Sequence, residues 1–447
     1  MNNTVTVIGG GFAGVEAARQ LSKRGIPVRL YEMKPKKFSP AHKSPALCEL
    51  VCSNSFKASR VGSAAGLLKA EMERLGSVCV AAAKQTAVPA GGALAVDRDA
   101  FSAAVTAVIE ADPLIEVVRE EMTSIPKEGV VIVAAGPLAS EALSADIAAT
   151  CGESLSFYDA AAPIVTAGSV DMSRAFCQSR YERGGEDDYV NCPMNKEEYE
   201  RFYGALVSAE VAQLHDFEKK GVYEGCMPIE VMAKRGGDTI RFGPMKPVGL
   251  VDPRTGRRPW AVLQLRKENA AGTLYNLVGF QTNLKFGEQK RVFSLIPALE
   301  HAEFVRYGVM HRNSFLRSPG LLTSAFSSIR RPSLFFAGQI TGVEGYMESA
   351  ASGILAGINA AAFLEGRAPF VLPGTTMLGA LSRYIADESV KDFQPMGAAM
   401  GLLPPLPEKI RNKQQRYEAL AKRALEDLDR TVAACKNRAS EEPNRGT

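Results

Sequence analysis

Two groups of residues have types and spacings that imply chemistry. The first is Gly9, Gly10, Gly11, Phe12, Ala13 and Gly14, a Gly-x-Gly-x-x-Gly run, with Glu32 placed 18 residues beyond Gly14. In such a run the first glycine suits a tight turn, Gly11 admits a pyrophosphate to the main chain, and Gly14 lets a helix pack on a strand. An acid at the distance of Glu32 accepts hydrogen bonds from ribose hydroxyls, so the implied chemistry is binding of a dinucleotide. The second group is a pair of cysteines. Cys52 stands among polar groups in Leu50-Val51-Cys52-Ser53-Asn54-Ser55, and Cys226 stands between Gly225 and Pro228, ahead of a basic segment. Loop thiols near positive charge ionise readily and serve as nucleophiles or bases. A cysteine is by default a small buried apolar group, and the other six have apolar surroundings. The eight cysteines contain no Cys-x-x-Cys pair and the four histidines no His-x-x-x-His pair, so neither a disulfide framework nor a metal site is expected.

The elements that must position these residues follow from apolar periodicity. Residues 4–8 (Thr-Val-Thr-Val-Ile) read as a buried parallel strand, 15–24 as a helix, and 28–32 as a second strand ending in Glu32. Residues 130–136 are a further strand of the same sheet. Residues 333–338 are another, followed by Gln339 and Gly345 and by a helix over 348–362 rich in small residues. A return to the first sheet this late resembles flavoproteins of the glutathione-reductase type, in which a helix N-terminus faces the electron-rich edge of the isoalloxazine. FAD is therefore expected rather than NAD as the resident dinucleotide, with Gly338, Gln339 and Gly345 as additional contacts. The expected fold is α/β: a glutathione-reductase-type, Rossmann-like FAD-binding fold with an inserted α+β substrate domain. Residues 1–176 form the first part of the FAD-binding domain, 177–312 the insertion, and 313–447 the second part with a C-terminal helix.

The 447 residues, 46% hydrophobic and 23% charged, have the composition of a globular protein. No run approaches the roughly 18 consecutive apolar residues of a membrane span, and the apolar stretch 5–14 lacks the basic flank and cleavage site of a signal peptide. A cytoplasmic protein is expected. The net charge of +4 says little about partners, but residues 231–260 hold seven basic residues (Lys234, Arg235, Arg241, Lys246, Arg254, Arg257 and Arg258) against Asp238 and Asp252. Such a patch suits a phosphate backbone, although a solvated face has the same composition. Residues 409–428 carry an apolar stripe, Tyr417, Leu420, Ala421, Ala424, Leu425 and Leu428, at the spacing of an amphipathic helix packed on the core.

Several stretches together resemble one family, the folate- and FAD-dependent tRNA (uracil-5-)-methyltransferases of the GidA-related flavoproteins. They include the glycine run, Leu50-Val51-Cys52-Ser53-Asn54-Ser55, Glu224-Gly225-Cys226-Met227-Pro228, Arg241-Phe242-Gly243-Pro244-Met245-Lys246, Phe304-Val305-Arg306-Tyr307-Gly308 and Ala337-Gly338-Gln339-Ile340-Thr341-Gly342-Val343-Glu344-Gly345-Tyr346. The resemblance implies methylation of C5 of an RNA uridine, expected to be T-loop uridine 54 of tRNA. It also implies 5,10-methylenetetrahydrofolate as carbon donor, reduced FAD as reductant, and NADH or NADPH docking transiently to recharge the flavin. It assigns to Cys226 the addition to C6 of the base and to Cys52 the removal of the C5 proton; were another cysteine the nucleophile, Cys192 is the next candidate by residue type. A uridine of 23S ribosomal RNA is an alternative target, and a small-molecule FAD-dependent oxidoreductase is the rival reading. Neither a membrane nor an obligate protein partner is expected.

Overall fold

The computed structural model describes residues 4–152, 154–182, 184–185, 187–212 and 227–441. Cys226 thus lies outside the described residues. The first sheet contains five parallel strands: β1 (Val5–Ile8), β2 (Val28–Tyr31), β3 (Ile115–Val118), β4 (Val131–Val133) and β5 (Leu334–Phe336), in the order β5-β4-β1-β2-β3. Val5, Val7, Val131, Ile132 and Val133 are all fully buried, which explains the near-continuous β-branched runs: helices cover both faces of such a sheet. The chain completes four strands by Val133 and returns for β5 only after the insertion.

The helix α1 (Phe12–Ser22) follows β1. The last of the four helices that matter here, α4 (Tyr346–Leu364), lies against it. A Cβ at Gly353 would stand 2.1 Å from Ala13 O and one at Gly357 2.7 Å from Ala17 O, so these two positions set how closely the helices approach. With 19 residues and a mean hydropathy of 1.3, α4 is by length and composition apolar enough to cross a bilayer, although Glu348, Ser349, Ser352 and Asn359 interrupt its apolar run. Its apolar character answers to a different need, because 83% of that window is buried inside the protein.

A second core is built on a six-stranded antiparallel sheet. Its strands run in the order Phe176–Cys177, Tyr189–Met194, Ala261–Lys267, Leu274–Leu277, Ile164–Thr166, Phe304–Arg306. Phe202, Phe280, Phe293, Ile229 and Ile240 fill it, and α2 (Ile229–Lys234) and α3 (Thr239–Phe242) contribute the last two of these. The expected limits, 177 and 312, need correcting in this respect: the sheet recruits Ile164–Thr166, and residue 312 falls within the strand Met310–Leu316. A three-residue strand carries too little periodicity to be read from sequence. The antiparallel pair Ser154–Ala160 and Met310–Leu316 connects the two cores.

The C-terminal helix spans Lys413–Glu441, starting four residues later than expected. Leu420, Ala421, Ala424 and Leu428 are buried in the first core, with Tyr417 and Leu425 packed against it. Arg423, on the basic face, donates to the carbonyls of Pro404 and Pro405 at 2.6 and 2.9 Å.

Candidate functional site

A cavity of about 430 Å³ opens at the carboxyl ends of β1, β4 and β5, where parallel sheets commonly bind ligands. Gly9, Gly10, Gly11, Phe12, Ala13, Glu32, Gly338, Gln339 and Gly345 all line it; Gly14 does not. Each glycine has a distinct reason. Gly9 has φ of +106°, and a Cβ there would lie 2.4 Å from Ala134 O. A Cβ at Gly14 would lie 1.8 Å from Gly9 O, so this residue closes helix against loop and needs no ligand to explain it. A Cβ at Gly11 would meet no protein atom within 4 Å, so its lack of a side chain keeps free the space that a pyrophosphate needs.

Glu32 is buried, its Oε2 accepting from the Gly10 N–H at 3.0 Å and its Oε1 from the Lys34 N–H at 2.9 Å. These bonds fix a carboxylate on the cavity wall with further lone pairs available to hydroxyl groups. The cavity is also lined by the first turn of α4, residues Tyr346, Met347 and Glu348, whose amide N–H groups begin a helix and have no partner within it. An open glycine turn, a fixed acid and a helix N-terminus in one cavity fit FAD as the resident group: Gly9, Gly10, Gly11 and Ala13 at the pyrophosphate, Glu32 at the ribose, and α4 at the flavin ring.

Cys52 is half-buried and also lines the cavity. Its sulfur lies 3.0 Å from Tyr346 Oη, and that oxygen accepts the N–H groups of Val51 and Cys52, each at 2.9 Å. Two main-chain donors occupy the two lone pairs of the phenol, which leaves its hydrogen for the cysteine: Tyr346 donates and Sγ accepts. Burial pushes the Tyr346 phenol well above its ordinary pKa, and the proximity of Cys52 acts in the same direction, so the proton stays on the phenol. The segment is held from several sides. Arg98 donates to Leu50 O and, at 3.3 Å, to Cys52 O, and pairs with the buried Glu268; Arg306 donates to Val51 O. Asn54, fully buried, donates to Val96 O at 2.9 Å and Lys267 O at 3.0 Å while accepting from Arg266 at 2.7 Å. Residues 50–54 therefore sit where the two cores meet.

Tyr346, Arg98 and Arg306 are site residues that a reading of residue types passes over. For Tyr346 and Arg306 the only signal was membership of stretches already conspicuous for other residues.

The segment that follows Cys226 is anchored on the cavity wall. Ile229 N–H donates to Gln281 O at 2.7 Å, and Gln281 lines the cavity. Glu230, buried, accepts from Thr282 Oγ1 and from the Asn283 N–H, both at 2.8 Å, and burial raises its pKa. Cys192 is fully buried in the second core, and burial pushes its thiol far upward, which removes it as the next candidate nucleophile. Cys177 is the exposed thiol among the described cysteines, on the edge strand of the second sheet, against the apolar setting its sequence suggests.

Residues 4–368 match the family model described as glucose inhibited division protein A, GidA. The structure superposes on that of Aquifex aeolicus GidA with a TM-score of 0.68 at 19% identity, covering 95% of this chain and 76% of that one. Among curated relatives, a protein of Pelotomaculum thermopropionicum named methylenetetrahydrofolate--tRNA-(uracil-5-)-methyltransferase TrmFO is 59% identical over 96% of this chain and 98% of its own length. A protein of the same name from Enterococcus faecalis is 58% identical over 95% of this chain and 98% of its own length. The chain belongs to the GidA family of flavoprotein folds, and within it to the TrmFO methyltransferases.

Proposed function

We propose that this protein methylates C5 of a uridine in tRNA, T-loop uridine 54, taking the carbon from 5,10-methylenetetrahydrofolate. The observation that carries the reading is Cys52 on the wall of the dinucleotide cavity, its sulfur set as an acceptor by Tyr346. The names and near full-length identity of the relatives support it.

Carbon 5 of uracil is a weak nucleophile. Addition of the Cys226 thiolate to C6 converts the ring to an enolate, whose C5 attacks the folate methylene carbon. Cys52 Sγ then takes the C5 proton as tetrahydrofolate departs, leaving an exocyclic methylene on C5. FAD, when bound and reduced, supplies the hydride that turns this methylene into a methyl group. Loss of Cys226 from C6 restores the aromatic ring. The target base is part of a folded loop and is extruded into the pocket to reach the thiol. NADH or NADPH recharges the flavin by transient docking, since the chain has one glycine fingerprint. A substrate of this kind places the protein in the cytoplasm.

The test is to map 5-methyluridine in total RNA from strains with and without the gene. Loss confined to tRNA position 54 is expected. Loss confined to a 23S rRNA uridine redirects the target, and no loss in either RNA returns the protein to small-molecule flavin chemistry.

A further inference from the structure

Phe242 ends α3 with 70% of its surface exposed, the largest value among the exposed large apolar residues described. A phenyl group this open contributes nothing to the core and carries a hydration cost. Its setting is ordered. The Arg241 guanidinium lies 5.2 Å from the Phe242 ring centre and 3.9 Å from that of Trp260, and it is fixed by donating to Trp260 O at 3.1 Å and to Asp238 at 3.2 Å. The phenyl thus neighbours a planar cation that also lies over the Trp260 ring.

The charge of the segment, residues 231–260, bears on what the exposed ring meets. The two acids of residues 231–260 are already engaged, Asp238 with Arg241 and Asp252 with Arg254. Lys246, Arg257 and Arg258 are exposed and form no ion pair among the described residues. An exposed aromatic ring in a segment that also carries exposed, unpaired cations suits a polyanion with unstacked bases. Location agrees, because α2 and α3 follow directly on the segment of Cys226, and α2 begins at Ile229, pinned to the cavity wall.

We propose that Phe242 is a stacking platform for an unpaired base of the RNA substrate, with Lys246, Arg257 and Arg258 holding the adjacent phosphates. The proposal rests on the RNA-methylating reading and adds to it the surface by which RNA is held outside the pocket.

The test is equilibrium binding of an unmodified tRNA transcript to the full-length, FAD-loaded protein across a salt series. Phe242→Ala should weaken binding about 10-fold with an unchanged salt slope, Phe242→Leu should behave like the alanine variant, and Phe242→Tyr should stay within about twofold of wild type. Lys246→Ala and Arg257→Ala should each lower the salt slope by about one. Thermal midpoints should match wild type, because the altered side chains are exposed, and Ile329→Ala, another half-exposed apolar residue, should bind normally. Affinity within twofold of wild type for Phe242→Ala overturns the proposal. So does wild-type affinity in Phe242→Leu, which would point to an apolar contact with a protein. A wild type that binds no RNA overturns the functional reading itself.

Discussion

A phenol with both lone pairs occupied has one hydrogen left to give, and in this protein it is directed at Cys52. That arrangement makes the sulfur a hydrogen-bond acceptor next to the dinucleotide cavity, and in the proposed mechanism Cys52 acts apart from carbon–sulfur bond formation. Cys52→Ala should lower turnover at least about 100-fold, the usual scale for losing a positioned base, while leaving covalent capture of RNA intact. Single-turnover methyl transfer and conjugate formation, measured on one preparation, check both halves; near wild-type transfer would remove Cys52 from the mechanism. Cys52 was legible in the sequence from its polar setting. Tyr346 was not, because 294 residues separate it from the sulfur it binds and a buried tyrosine has many ordinary uses. Cys192 shows the converse: residue type named it, and only the packing of the second sheet shows it to be sealed.

Among elements, the strand, glycine turn, helix and acid were readable because they are local: everything from β1 to Glu32 is fixed within one βαβ unit. The structure adds a division of labour among the glycines. Gly11→Val should give a folded but colourless protein, since its side chain enters only the space reserved for pyrophosphate. Gly14→Val should fail to fold, its Cβ having no room against Gly9 O. Circular dichroism and flavin absorbance distinguish the two; a yellow Gly11→Val would place the dinucleotide elsewhere. A second element-scale feature left no trace in the sequence. Glu71 accepts the Met377 and Leu378 N–H groups at 2.7 and 2.8 Å and so caps the helix Met377–Ala386 from another helix, Ala64–Arg74. Burial raises its pKa to about 7 from an ordinary 4.5. The native state therefore binds this proton more tightly than the unfolded chain. The associated stability is complete below about pH 4.5 and is lost as pH rises through about 7. Glu71→Gln should flatten the fall in denaturant midpoint between pH 5 and pH 8, and an unchanged pH profile would contradict this assignment.

At the scale of the molecule, the two large cores of the described residues meet at residues 50–54. Asn54 and Arg98 come from the first core's part of the chain, and Arg266, Glu268 and Arg306 come from the second. The insertion was legible as a change in punctuation, but its edges were not. A short strand such as Ile164–Thr166 is defined by its pairing partners rather than by its own residues. This architecture brings Cys52 and, through Gln281, the segment following Cys226 to one cavity, and in the proposed reaction the Cys226 thiol adds to a uracil there. RNA carrying 5-fluorouridine at the target has no C5 proton to lose, so the adduct should stall. Incubated with reduced, FAD-loaded protein and 5,10-methylenetetrahydrofolate, it should yield a protein–RNA conjugate that survives denaturing electrophoresis. Cys226→Ala, which should keep its FAD because the dinucleotide cradle belongs to the first core, should yield none. A wild type that forms no conjugate, or a Cys226→Ala variant that forms it undiminished, would rule out Cys226 as the nucleophile.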